Sequence, residues 1–246
     1  MMHMRSLGCS ALVLAVSALH AGAAAQSRPY TINVKLQDRP ISVSIKAKDA
    51  RLSDVAADLG VRLKAKVVVG PGLRDEKITV DVPETMLETA LISLAPRVFV
   101  DYEMRQDATP VPLGVYLLGP TDPPPASDAV VRGTSMGVMI EGNTEDVPKK
   151  PEEDPLRVTG DRRFLSVMSK KQPLALVARA IGDVLGVPVE IKYDATELID
   201  ANLTNGLPEE TVTRLSPNIR IYVRVDVNLA EHTPLKLVLD NKGEAK

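Results

Sequence analysis

ISVSIKAKDARLSDVAADLG (Ile41–Gly60), continued by LKAKVVVGPGLRDEKITVDVPETMLETALISL (Leu63–Leu94), carries two hydrophobic periods in succession. Ile41, Val43 and Ile45 alternate with polar residues, as do Ile32, Val34 and Leu36 before them, which is the pattern of two half-buried strands. Asp38–Pro40 supplies a turn between them. From Leu52 the period lengthens: Leu52, Val55, Ala56, Leu59 and Leu63 share one face of a helix, with Asp49 as its expected N-cap. Lys66–Val69 is the next strand, ended by Gly70-Pro71-Gly72. Ile78, Val80 and Val82 alternate again. Pro83 is expected to open a second helix, where a missing N–H costs little, with Met86, Leu87, Ala90, Leu91 and Leu94 on its apolar face. Val98, Val100 and Tyr102, then Val115–Leu118, read as two closing strands. The order β-β-α-β-β-α-β-β over residues 29–119 has a βαββαβ unit at its centre, too small for a doubly wound nucleotide-binding sheet.

The same pattern returns later in the chain. Shifted by 122 positions, Leu52, Val55, Ala56, Leu59, Gly60 and Leu63 fall on Leu174, Val177, Ala178, Ile181, Gly182 and Leu185. Val67 and Val69 fall on Val189 and Ile191, and Val82-Pro83-Glu84 is matched to Leu207-Pro208-Glu209. Pro217 stops the second copy's last helix, Ile219, Ile221 and Val223 stand for Val98, Val100 and Tyr102, and Leu235–Leu239 mirrors Val115–Leu118. Matched glycine, proline and apolar positions in one order point to an internal repeat, with a second, divergent module over residues 161–246. The fold class expected is therefore α+β: two small βαββαβ-type modules joined by a Pro-rich acidic linker.

That linker, residues 120–160, carries Pro120, Pro123, Pro124, Pro125, Pro148, Pro151 and Pro155 and the cluster Glu152-Glu153-Asp154. Lost donors and mutual repulsion disfavour a packed core, so it is expected to be disordered and the modules to fold independently. Met136–Ile140 is an apolar island within it.

At the N-terminus, a basic start through Arg5, the apolar run Ala11–Leu19 and Ala23-Ala24-Ala25 read as a secretory signal peptide, residues 1–25, cut after Ala25. The run is too short to span a bilayer. Cys9 precedes the apolar run, the wrong order for lipidation. Cleavage removes Cys9, His3 and His20 and leaves His232 as the one histidine. A mature chain without cysteine forms no internal disulfide, carries out no thiol chemistry and lacks the ligands of a His/Cys zinc site. No cofactor and no metal is expected. The 30 Lys and Arg nearly balance the 32 Asp and Glu, so the basic footprint of a nucleic-acid binder is absent. Aromatic residues make up 3%, too few for stacking platforms.

The first module resembles the short N-terminal domain of secretins and TonB-dependent transducers (the STN, or secretin N0-like, family). The residues that carry the resemblance are Leu52, Val67–Val69, Val82-Pro83, Ala90-Leu91 and Leu94. The second copy, Arg163–Asp240, lacks the Ala-Leu pair and carries an insertion around residues 194–205; it resembles either a second short domain or one of the related small α/β modules that follow it in secretins. Neither copy is followed by the strand series of an outer-membrane barrel. The resemblance implies a non-enzymatic docking module of the periplasm, whose partners would be envelope proteins: a secretin, an inner-membrane platform component or a sigma regulator. It points to Ile41–Ile45 and Lys77–Val82 as open sheet edges able to accept a partner strand, with Ser42, Ser44, Lys77, Thr79 and Asp81 tuning specificity.

The competing function is a small envelope hydrolase or ligand-binding enzyme. Ser216, Asp226 and His232 contain the residue types of a hydrolytic triad, but no Gly-x-Ser-x-Gly elbow surrounds a serine. Gly70-Pro71-Gly72 lacks the Lys-Ser/Thr of a phosphate loop. Asp194, Glu197 and Asp200 are oxygen ligands suited to a cation, but they read first as a solvated loop or helix start. Export is the first expectation open to measurement: mass spectrometry of the envelope fraction should find a chain beginning at Gln26, and a full-length chain in the cytoplasm would refute it.

Overall fold

The computed structural model describes residues 28–106, 108–126 and 155–241. The first half runs β1 (Tyr30–Lys35), β2 (Ser42–Arg51), α1 (Leu52–Leu63), β3 (Lys66–Val69), a 3-10 turn (Pro71–Leu73), β4 (Lys77–Met86), α2 (Leu87–Ile92), β5 (Arg97–Met104) and β6 (Val111–Leu118). The second runs β7 (Leu156–Gly160), β8 (Leu165–Pro173), α3 (Leu174–Leu185), β9 (Val189–Ile191), β10 (Leu198–Gly206), α4 (Pro208–Leu215), β11 (Ile219–Asp226) and β12 (Glu231–Leu239). The fold is mixed α+β and rich in strand, as its alternating apolar positions require. The signal sequence and the island Met136–Ile140 lie outside the described residues.

Two of the three sheets are small: β1-β2-β4 in the first half and β10-β8-β7 in the second. The third has six strands in the order β3-β6-β5-β11-β12-β9 and crosses from one half to the other. In each half the helices touch both a small sheet and the large one, and a single apolar cluster runs from Leu52, Leu59 and Leu91 to Leu174, Ile181 and Ile219. Each of these side chains contributes about 1.5–3 kcal/mol by leaving water.

Local features recur at nearly constant offset. Asp49 and Lys171 both adopt positive φ, at 52° and 48°, and α1 and α3 both end in a left-handed residue, Lys64 and Gly186. The Gly60 carbonyl accepts from Ala65 N–H and the Gly182 carbonyl from Val187 N–H. A Cβ on Gly60 would meet the Ala65 oxygen at 3.0 Å, and one on Gly182 the Val187 oxygen at 3.0 Å, so both helices need glycine to approach the chain that follows.

Two local expectations are corrected. Asp49 is not a cap: α1 starts at Leu52 after Arg51, with no side-chain cap, and Asp49 lies in β2. Pro83 does not open a helix. It lies within β4, an edge strand where a missing donor disturbs no ladder, and α2 begins at Leu87. Met86, not Val82, therefore occupies the place of Leu207 before the second helix of its half.

The expected independence of the halves fails at β5. It pairs antiparallel with β11, with Tyr102 opposite Val223, Asp101 opposite Arg224 and Glu103 opposite Tyr222. The sheet order reads alike from either end, so the halves meet about a local pseudo-twofold axis near Tyr102 and Val223. Val98, Val100 and Tyr102 face the apolar core, and the alternate residues carry a polar network on the opposite face. Arg224 Nε donates to Asp101 Oδ1 at 2.6 Å and Nη2 to Oδ2 at 2.8 Å, with both side chains buried. Tyr116 OH donates to the same carboxylate, and the Arg224 guanidinium lies 5.2 Å from the Tyr116 ring centre. Burial, then the Asp101 charge, pushes the Tyr116 phenol up to about 12. Across the axis, Tyr222 OH donates to Glu103 Oε2 at 2.7 Å and Arg220 Nη1 to the same oxygen at 3.3 Å.

Both ends of the expected linker are structured: this network and the turn beside it hold the first, and strand pairing holds the second. Asp122 is buried and accepts from Gly119 N–H at 2.8 Å and Gly72 N–H at 3.2 Å, while Arg97 donates to its carbonyl. Arg224 Nη1 donates to the Pro125 and Ala126 carbonyls at 2.6 and 3.0 Å. At the other end, Leu156–Gly160 is strand β7, paired with β8. Residues 127–154 of the expected linker lie outside the described residues.

A protease site inserted between Ala126 and Pro155 therefore yields two fragments that co-elute on size exclusion. Fragments that separate under native conditions would contradict the shared sheet. Asp101→Ala leaves Arg224 buried without its counter-charge and should lower stability by about 3 kcal/mol. Urea unfolding followed by one probe in each half should still give coincident transitions.

Candidate functional site

Strand pairing decides which backbone groups are free to meet a partner. In the first small sheet β2 is the middle strand, bonded to β1 on one side and β4 on the other. Ile41–Ile45 is therefore not an open edge: Tyr30–Lys35 folds back across it. Ser42 and Ser44 lie at this interior position. Ser42 Oγ donates to Asp38 Oδ2 at 2.6 Å, and Ser44 Oγ accepts from Asn33 Nδ2 at 3.3 Å.

Lys77, Thr79 and Asp81 do lie on an edge, that of β4. Lys77 Nζ pairs with Asp49 at 2.9 Å and Asp81 with Lys46 Nζ at 3.0 Å. Thr79 Oγ1 accepts from Asp49 N–H at 3.0 Å, where the β2–β4 register is interrupted between Ala47 and Ala50. The structure thus gathers all five residues onto one small sheet and occupies each within it. These exposed pairs contribute little to stability, about 0–1 kcal/mol each.

The large sheet ends at β3 and β9. An open groove beside β3 is lined by Ala56, Ala57, Gly60, Val61, Lys64, Ala65 and Val67. A second lies at Arg39, Pro40, Ala108, Thr109 and Pro110. Neither lining includes a carboxylate, histidine or cysteine.

The triad types do not assemble. His232 Nδ1 lies 2.5 Å from Glu209 Oε1, while Asp226 Oδ1 accepts from Asn228 and Leu229 N–H in the β11–β12 turn. Ser216 Oγ accepts from Asn218 N–H. The Glu209 contact raises the His232 pKa above its ordinary 6.5, partly offset by burial. Glu197 accepts from Tyr193 OH and Asn218 Nδ2. Burial pushes the Glu197 carboxyl up, but the two donors outweigh it and hold it below its usual value. Among the described residues no three His, Cys, Asp or Glu side chains are placed to hold a metal ion.

Sequence reading missed two polar features. Glu209 is buried in the first turn of α4, with Oε2 unpartnered, and Asp101 and Glu103 are buried against Arg224 and Tyr222. The available signal was the placement of charges on β5 and β11, Asp101 and Glu103 against Arg220 and Arg224. No family model, curated protein or solved structure matches the chain. No helix among the described residues is long and apolar enough to cross a membrane.

The His232–Glu209 pair predicts a pH dependence. Because the folded pKa of His232 is raised, its stabilising contribution is complete below 6.5 and disappears as pH rises through the folded value. The melting temperature should fall as pH rises above 6.5, and His232→Gln should remove that part of the slope. An identical slope in the variant would refute the assignment.

Proposed function

We propose that this is an exported, non-enzymatic docking protein of the periplasm, with a secretin N0-like (STN-like) first module and a second, divergent STN-like or secretin N-domain-like module. It works as an adaptor in a secretion, pilus or TonB-linked outer-membrane system. The observation that carries this reading is the β5–β11 pairing, in which the two halves of one chain join edge to edge. A module of this shape thus already associates by adding a strand, the mode by which a partner's extended segment would be recognised. The recurrence of Lys64 and Gly186 as left-handed caps, and of the Gly60 and Gly182 approaches, supports a common module.

The grooves support docking more than turnover, since a hydrolase needs polar groups converging on an enclosed substrate. The partners proposed are a secretin, an inner-membrane platform component or a sigma regulator. Nucleic acid is disfavoured by the balanced charge, although small α/β modules of KH-like shape do bind it.

Purification of the tagged mature chain from crosslinked envelopes tests the reading. It predicts a stoichiometric complex with a component of such a system, rebuilt from purified parts. Release of product from ester or peptide substrates by the chain alone, lost in His232→Gln, would favour the hydrolase.

A further inference from the structure

Four features meet at the free edge of β3. The Gly70 N–H donates to the Leu117 carbonyl of β6. Backbone direction alternates along a strand, so Val68 also faces β6, whereas the N–H and C=O groups of Val67 and Val69 point away from it. Beside this free row lies the groove lined by Ala56, Ala57, Gly60, Val61 and Lys64 of and after α1, with a volume of about 420 Å³. Its base is close because Gly60 allows the helix to approach: a Cβ there would stand 3.3 Å from Val67 Cγ2. Val61 is 77% exposed at the rim. Finally, Lys64 and Lys66 are exposed and make no ion pair among the described residues, whereas Lys35, Lys46 and Lys77 of the small sheet are all paired.

The corresponding place in the second half is lined differently. Arg179 and Asp183 stand where the first half has Ala57 and Val61. Arg162 crosses the end of α3, donating from Nε to the Leu185 carbonyl at 3.4 Å and passing 3.8 Å from where a Cβ on Gly186 would be.

We infer that the β3 edge and the α1 groove form a binding site for an extended, acidic segment of a partner protein, which adds as a strand beside β3. Val67 and Val69 supply the backbone hydrogen bonds. An apolar side chain of the segment enters the groove over Gly60, and its flanking carboxylates meet Lys64 and Lys66. The inference rests on the docking reading and names its surface. It moves that surface from the β4 edge, whose charges are internally neutralised, to an edge whose charges are free.

Two capped eight-residue peptides serve as probes, one alternating valine with glutamate and one alternating valine with lysine. Each is titrated into the mature full-length chain while backbone amide resonances are followed by NMR. The glutamate peptide should perturb amides 66–70 and the end of α1 and should bind at least tenfold more tightly than the lysine peptide. Ala57→Arg, which copies the second half at an exposed position, should weaken it at least tenfold with the circular dichroism spectrum unchanged. If that variant fails to fold, Lys64→Glu with Lys66→Glu should reverse the preference between the peptides. Binding that maps to β4 or β10, or that survives Ala57→Arg undiminished, overturns this site while leaving strand docking in place. A chain whose edges bind neither peptide overturns the site and the docking reading together.

Discussion

The ion pair between Asp101 and Arg224 and the strand pairing around it set the terms for the rest of the structure. Two charges removed from water cost several kcal/mol each unless their geometry and remaining hydrogen bonds are good. Here the guanidinium is bidentate to the carboxylate, stacks toward Tyr116 and spends Nη1 on the Pro125 and Ala126 carbonyls. The carboxylate accepts a third hydrogen bond from Tyr116. Such a pair contributes more to register than to net stability. A slip of one residue would turn Asp101 and Glu103 toward the core occupied by Val100 and Tyr102, where the packed side chains are apolar and the carboxylate bonded to Tyr102, Glu88, offers no counter-charge.

Once β5 and β11 are joined, neither presents an edge, and the unpaired backbone of the large sheet is confined to β3 and β9 at its ends. The small sheets retain their own edges, but β4 carries Pro83 and paired charges, devices that discourage further strand addition. The two ends of the large sheet differ in their side chains: α3 carries Arg179 and Asp183 where α1 carries Ala57 and Val61, and Arg162 bonds the end of α3. The apolar core remains continuous because Val98, Val100, Ile221 and Val223 all face the helices from one sheet.

Much of this was legible in residue order. Leu52–Leu63 is a helix because its apolar residues fall on one face, and Lys66–Val69 and Val115–Leu118 lie in strands for equally local reasons. Pro83 misled because proline suits both the first turn of a helix and an edge strand, and only the pairing of β4 with β2 distinguishes them. Asp49 misled because an Asp before a helix caps it only with suitable backbone, whereas here it has φ of 52° and binds Lys77. Asp101 and Glu103 alternate with Val100 and Tyr102, and alternation alone does not tell water from a buried arginine. The five expected docking residues lie in strands that share one small sheet. Which of its strands was interior depended on the long-range return of Tyr30–Lys35.

Native-state hydrogen exchange on the backbone amides of β5 and β11 tests the shared sheet most directly. If the strands are joined, amides between residues 99 and 104 and their partners between 221 and 226 exchange only through global unfolding, with one common free energy. Rapid exchange along those two strands, with α1 and α3 still protected, would contradict the account and return the chain to two separate modules.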